Sequence, residues 1–180
     1  MISFPSIVRT PIRNFKTGAA YTLVRGDFIT PTNERLSEIV SICNEPDIYG
    51  WLFRDILAGQ PYPQQKALDW VRWLADGWTT NSHFGFVVLA HDGSLAASCA
   101  IKGAAIHGSE VGYWTSAKHT GIMTSTLTEV IRLARAAGFS SLTCKARTAN
   151  HRSKAVMIRA GFVHQETRQG ETEDYFSIQI

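Results

Sequence analysis

The stretch from Glu110 to Phe162 holds the residues whose types and spacing could do chemistry. Glu110-Val111-Gly112-Tyr113-Trp114 reads as a strand. Alternation puts Glu110, Gly112 and Trp114 on one face and Val111 and Tyr113 on the other. A short polar loop, Lys118-His119-Thr120-Gly121, then runs into a helix. A glycine loop at a helix start exposes unpaired N–H groups and the positive end of the helix dipole, which together hold phosphate oxygens. Lys118 and His119 add positive charge to that site, although a glycine before a helix also makes an ordinary turn. Further on, Asn150-His151-Arg152-Ser153 opens a second helix and Ala160-Gly161-Phe162 closes it. Asn150 suits the cap and Ser153 the first turn.

Composition narrows the field. A chain of 180 residues with 44% apolar residues suits one domain with a full core. The formal charge of +3, without a Lys/Arg block, does not indicate nucleic-acid binding and is compatible with an anionic ligand. No apolar run reaches bilayer length, and Met1-Ile2-Ser3-Phe4-Pro5 lacks the features of a signal peptide. Cys43, Cys99 and Cys144 are far apart and form no metal spacing. We expect no metal, no disulfide framework, no membrane contact and a reducing cytoplasm. The six histidines are scattered, and only His119 lies near the presumed chemistry.

The elements that must position these residues follow from periodicity. Residues 1–18 show no period and read as an N-terminal extension, leaving 19–180 as a single domain. Strands are expected at Ala20–Arg25, Phe84–Ala90, Leu95–Ile101, Ser109–Ser116, Leu142–Arg147, Phe162–Thr167 and Tyr175–Ile180. The last two would form a hairpin around Gln169-Gly170. Helices are expected at Asn33–Cys43, Gln64–Asp76, Gly121–Ala137 and Asn150–Ala160, with a short one over Trp51–Leu57. This order predicts an α/β (α+β) fold: a mixed sheet with helices on both faces.

The order of these pieces resembles the GNAT acetyltransferases, particularly the branch of ribosomal-protein-alanine N-acetyltransferases. The pieces are Leu23-Val24-Arg25 with Asp27; Pro61-Tyr62 before Ala67 and Trp70; Glu110 to Trp114; Gly121-Ile122-Met123-Thr124; and Asn150 to Ser153 leading to Gly161-Phe162. The resemblance covers Tyr21 to Ile180. It implies a mostly antiparallel sheet with one splayed strand pair that forms a cleft for acetyl-coenzyme A. Backbone groups of Trp114, Thr115 and Ser116 would pair with the pantetheine arm. The loop of Lys118, His119, Thr120, Gly121, Ile122 and Met123 would hold the pyrophosphate. Asn150 would contact the arm, with Ser153 near the sulfur. One departure stands out: the family has Gly or Ala where Met123 stands, or else the loop is two residues short. Met123 could then crowd the phosphates.

The resemblance further implies N-acetylation of a primary amine, on a protein N-terminus or a small molecule, by direct attack in a ternary complex. Such a reaction needs a base for the amine and a donor for the leaving thiolate. Glu110 is the candidate base and Ser153 the candidate donor. Trp51 and Tyr62 are expected to line the acceptor pocket. The partner is then the amine, and a homodimer is compatible with the fold. Two rivals are a GNAT-fold binding or regulatory protein without turnover and an acyltransferase fed by a carrier protein.

Overall fold

The computed structural model describes residues 2–5, 9–165 and 172–180. Eight strands form one sheet in the order β1-β2-β3-β4-β5-β6-β8-β7. They are β1 (Arg9–Arg13), β2 (Ala20–Arg25), β3 (Phe84–Leu89), β4 (Leu95–Ile101), β5 (His107–Thr115), β6 (Ser141–Arg147), β7 (Val163–His164) and β8 (Glu173–Gln179). Every neighbouring pair is antiparallel except β5 and β6, which are parallel. The helices are α1 (Asn33–Cys43), α2 (Pro46–Ile48), α3 (Gln64–Thr80), α4 (Ile122–Ala136) and α5 (His151–Arg159).

The apolar pattern explains the two layers. β4 is buried along its whole length and β3 along all but its last residue, as central strands covered on both faces should be. Their side chains alternate between two cores. Leu23, Phe86 and Val88 join Ile122, Leu127, Val130 and Leu133 of α4. Val24, Val87 and Leu95 join Leu36 and Ile39 of α1 with Val71 and Leu74 of α3. The expected mixed sheet with helices on both faces is therefore present. No helix among the described residues is long and apolar enough to cross a membrane.

The N-terminal segment is not a loose extension. β1 pairs with β2 along its length, and Ile12 reaches the core. Phe4 packs on Trp78 and Phe84 at ring-centroid distances of 5.1 and 4.8 Å. β1 contains Pro11, which an edge strand accommodates and a central one does not. Its single buried side chain gave no period to read.

The short helix expected over Trp51–Leu57 is instead the three-residue α2 followed by a π-helical turn, Tyr49–Phe53, closed by Arg54 N donating to Tyr49 O at 2.9 Å. The strand expected over Phe162–Thr167 is the short β7; Glu166, Thr167 and the Gln169-Gly170 turn lie outside the described residues.

α3 runs a full turn beyond Asp76, through Gly77, to a left-handed cap at Asn81 with φ of +56°. Gly77 is there for closeness, not flexibility. A Cβ on it would sit 2.3 Å from the His83 ring and 2.4 Å from the His83 carbonyl. His83 in turn stacks on Trp73 at 4.1 Å. An exposed helical Gly→Ala change ordinarily gains about 1 kcal/mol. Here overpacking should reverse the sign, so that Gly77→Ala destabilises by roughly 1–3 kcal/mol. Thermal or urea unfolding checks this; a stabilised variant would mean His83 is free to move away.

Candidate active site

β5 and β6 share ladder bonds only from His107–Val111 on one strand to Ser141–Cys144 on the other. Beyond that point each follows its other neighbour. β5 stays with β4 to Thr115, and β6 stays with β8 to Arg147. The two strands splay, and a cleft of about 420 Å³ opens between them. Its walls include Glu110 to Thr115 of β5, Cys144 to Arg147 of β6, and Asn150, Arg152, Ser153 and Val156 of α5. Trp51, Leu52 and Ile56 close the far side.

In an antiparallel pair, backbone groups point alternately toward and away from the partner. Glu110 O accepts from Lys102 N, and Ser116 N donates to Ala96 O, so the even-numbered residues face β4. Tyr113 and Thr115 therefore turn their N–H and C=O groups to the cleft, where β6 has left the ladder. Of the three backbone positions expected along the cleft, Thr115 fits. Trp114 directs its backbone to β4, although its residue lines the cleft and its ring packs on Trp70 at 5.6 Å. Ser116 is engaged elsewhere: its Oγ donates to Glu45 Oε1 at 2.7 Å, while Ala117 N donates to Glu45 Oε2 at 2.6 Å. Glu45 thus fixes the start of the loop.

The loop ends at Gly121, with φ of +103°, a conformation that favours glycine. A Cβ there would also strike Asn14 Oδ1 at 2.6 Å and Lys16 Cγ at 2.9 Å. Asn14 lies in the β1–β2 turn. Its Nδ2 donates to Thr120 O at 3.2 Å, and Phe15 N donates to Gly121 O at 3.2 Å. A trans peptide sets its N–H opposite its C=O. Holding these two carbonyls toward the turn directs the Gly121 and Ile122 N–H groups the other way. No side chain caps α4, so its first donors are open to an anion.

The remaining loop residues divide. Thr120 and Met123 line the cleft, and Lys118 is exposed. His119 turns its Nδ1 to Tyr21 Oη at 3.0 Å. Ile122 is fully buried, and Met123 is 3% exposed within the α4 core. The bulk of Met123 is therefore buried in the protein, although the residue also borders the cleft.

Glu110 lines the cleft and pairs through Oε1 with Lys102 Nζ at 2.6 Å. Lys102 crosses above Gly112, where a Cβ would meet its Cε at 2.4 Å, so glycine leaves the lysine its path. Asn150 caps α5, its Oδ1 accepting from Ser153 N at 3.1 Å, and still lines the cleft. Ser153 Oγ lies 2.8 Å from Tyr113 Oη. Burial raises the Tyr113 phenol well above its usual range, which keeps it a neutral donor. Cys144 is at the cleft floor, where burial pushes its thiol up to about 12. A thiol so shifted is a poor nucleophile at neutral pH.

Trp51 lies at the cleft as expected, but Tyr62 does not. Tyr62 is 6% exposed and packs on Phe53 at 4.6 Å, in the core beneath α3. Its N–H is held by Asn44 Oδ1 at 2.9 Å. Three contributors escaped the sequence reading: Lys102, Tyr113 and Glu45. Lys102 was the most accessible, because the β4–β5 register sets it opposite Glu110. Among the described residues no group of His, Cys, Asp and Glu could hold a metal ion.

Residues 28–163 match the family model described as the acetyltransferase (GNAT) domain. No curated protein matches the chain in sequence. Solved structures with similar folds include Mycobacterium smegmatis RimJ in complex with CoA-disulfide, at TM-score 0.71 and 16% identity, covering 95% of this chain and 86% of that one. RimL, a ribosomal L7/L12 alpha-N-protein acetyltransferase in complex with coenzyme A, gives 0.70 and 14%, covering 94% and 98%. Spermidine N-acetyltransferase from Vibrio cholerae, in complex with CoA and spermine, gives 0.65 and 14%, covering 88% and 95%. With the family model spanning well over half of the sequence and the splayed β5–β6 pair at its centre, the chain belongs to the GNAT acetyltransferases and is an acyltransferase.

Proposed function

We propose that this enzyme moves an acetyl group from acetyl-coenzyme A to a primary amine by direct attack, with both substrates bound. The observation that supports this best is the continuous path from the free backbone of Tyr113 and Thr115 to the uncapped start of α4. A pantetheine arm carries two amides and can add to β5 as a further strand would. Its pyrophosphate then reaches the Gly121 and Ile122 donors.

In this reading the amine nitrogen attacks the thioester carbonyl carbon. A cleft-facing N–H of β5 stabilises the oxygen that gains charge. Glu110 takes the proton from the amine, directly or through water. The C–S bond then breaks, and the thiolate accepts a hydrogen bond from Ser153, which Tyr113 orients. The acceptor meets a wall of Trp51, Leu52 and Ile56. Two ion pairs tie that wall across the cleft: Arg147 to Asp55 and Arg152 to Asp47, each at 2.5 Å. All four side chains are largely exposed, so each pair contributes at most about 1 kcal/mol and the wall can yield to an acceptor. Two solved structures of similar fold are an alpha-N-protein acetyltransferase and a spermidine N-acetyltransferase, which supports an amine acceptor.

The test is calorimetry with acetyl-coenzyme A, followed by turnover on a panel of peptide N-termini, polyamines and other amines. Binding with acetylated product is expected. No binding at millimolar donor would overturn the reading, and so would binding with ester or thiol products only.

A further inference from the structure

We propose that the β1–β2 turn and the end of α5 form the receptor for the nucleotide end of coenzyme A. In it, Arg159 and Lys16 grip the 3′-phosphate and Phe15 stacks on adenine. This rests on the donor reading above and adds a part of the site beyond the cleft.

Four observations converge on this patch. First, α5 faces the cleft with Arg152 and Val156, and Arg159 continues that stripe at helical spacing. Second, Arg159 Nε donates to Thr124 Oγ1 at 3.2 Å, which fixes it beside the first turn of α4. A chain leaving the Gly121 donors along α5 meets this guanidinium next. Third, Phe15 is 61% exposed at the turn, and the Arg159 guanidinium lies 5.8 Å from its ring centroid. Folding gains little from an aromatic ring left so exposed, whereas a purine could cover its face. Fourth, Lys16 packs its stem beside Gly121 and extends from there. Among the described residues, neither Lys16 nor Arg159 forms an ion pair with a carboxylate.

The cations that line the cleft differ. The four cations around the cleft, Lys102, Lys145, Arg147 and Arg152, are each paired with an acid. Positive charge left unneutralised at the outer end of the cleft matches a dianionic group, and coenzyme A carries one at its ribose 3′-position. The turn also explains how the short loop suffices: Asn14 and Phe15 brace the carbonyls of Thr120 and Gly121 from outside.

Titration of coenzyme A against 3′-dephospho-coenzyme A tests this in the full chain. The wild type should bind coenzyme A roughly tenfold tighter or more, the scale of one charge-assisted hydrogen bond. The double variant Lys16→Gln, Arg159→Gln keeps both stems and should lose most of that preference, with dephospho-coenzyme A affinity little changed. Phe15→Ala should weaken both ligands about equally, by roughly tenfold. Melting curves check that each variant is folded. A wild type that binds both ligands equally, or a double variant that keeps the full preference, overturns the phosphate grip while the donor reading stands. Unchanged binding in Phe15→Ala overturns the stacking. A wild type that binds neither ligand removes the donor reading itself.

Discussion

Glu110→Gln should lower turnover by roughly a hundredfold or more, the scale of losing a general base. At neutral pH an alkyl amine is mostly protonated and cannot attack a thioester. Glu110 is the carboxylate of β5 that lines the cleft, and among the described residues its Oε1 alone is engaged, by Lys102. Gln keeps the shape and loses the basicity. Affinity for acetyl-coenzyme A should barely change, because in the proposed reading the donor is held by backbone groups and the α4 start. Raising the pH should partly rescue the variant, since more acceptor then arrives neutral. Gln also leaves Lys102 without its partner, but that pair is exposed and contributes at most about 1 kcal/mol. Lys102→Met is the control: if it reproduces the whole loss and its pH profile, the ion pair matters rather than the base. Wild-type turnover by Glu110→Gln across the pH range, with chemistry rate-limiting, would make Glu110 a structural partner of Lys102.

Met123→Gly should be the most destabilising change near the site. From the family pattern alone, glycine here would relieve crowding and tighten coenzyme binding. The structure argues otherwise, because Met123 is 3% exposed and belongs to the core between α4 and the sheet. Removing its side chain leaves a cavity and places glycine in the first turn of a helix. Together these cost roughly 3–6 kcal/mol. Urea unfolding should show a much lower midpoint. Coenzyme affinity, measured in the cold where the variant is folded, should not improve. Unchanged stability would show that the methionine is not packed as described; tighter binding would restore the crowding explanation.

The sequence carried the elements well where their pattern is local. β2, α1 and β4 fall on the expected bounds, because β-forming residues, a three-four apolar spacing and a continuous apolar run are written into their own residues. The helix start at Gly121 and the cleft positions of Ser153 and Glu110 were also within reach, since a glycine before a helix, a first helical turn and a strand face are local features. What escaped depends on pieces far apart in the chain. Glu45 meets Ser116 across 71 residues, and Asn14 meets Thr120 across 106. Tyr113 was assigned correctly to the strand face opposite Glu110. Nothing local showed that α5 would bring Ser153 to it. Tyr62 misled for the converse reason: an aromatic residue after Pro61 suits a pocket wall and a core equally, and the packing of Phe53 decided it. β1 was lost because an edge strand buries too little to leave a pattern.

The parting of β5 from β6 has a consequence for motion. Sheet edges normally lie at the outside of a fold, where strands fray and amides exchange with solvent first. This sheet has its true margins at β1 and β7 and a second margin at its middle. The amides of Tyr113 and Thr115 should therefore exchange quickly although they sit in the middle of the sheet. Those of Phe86 and Val88 two strands away should exchange only on global unfolding. A ligand lying along β5 would erase that contrast. The slowing of two mid-sheet amides would then report occupancy of the cleft before any acceptor is known.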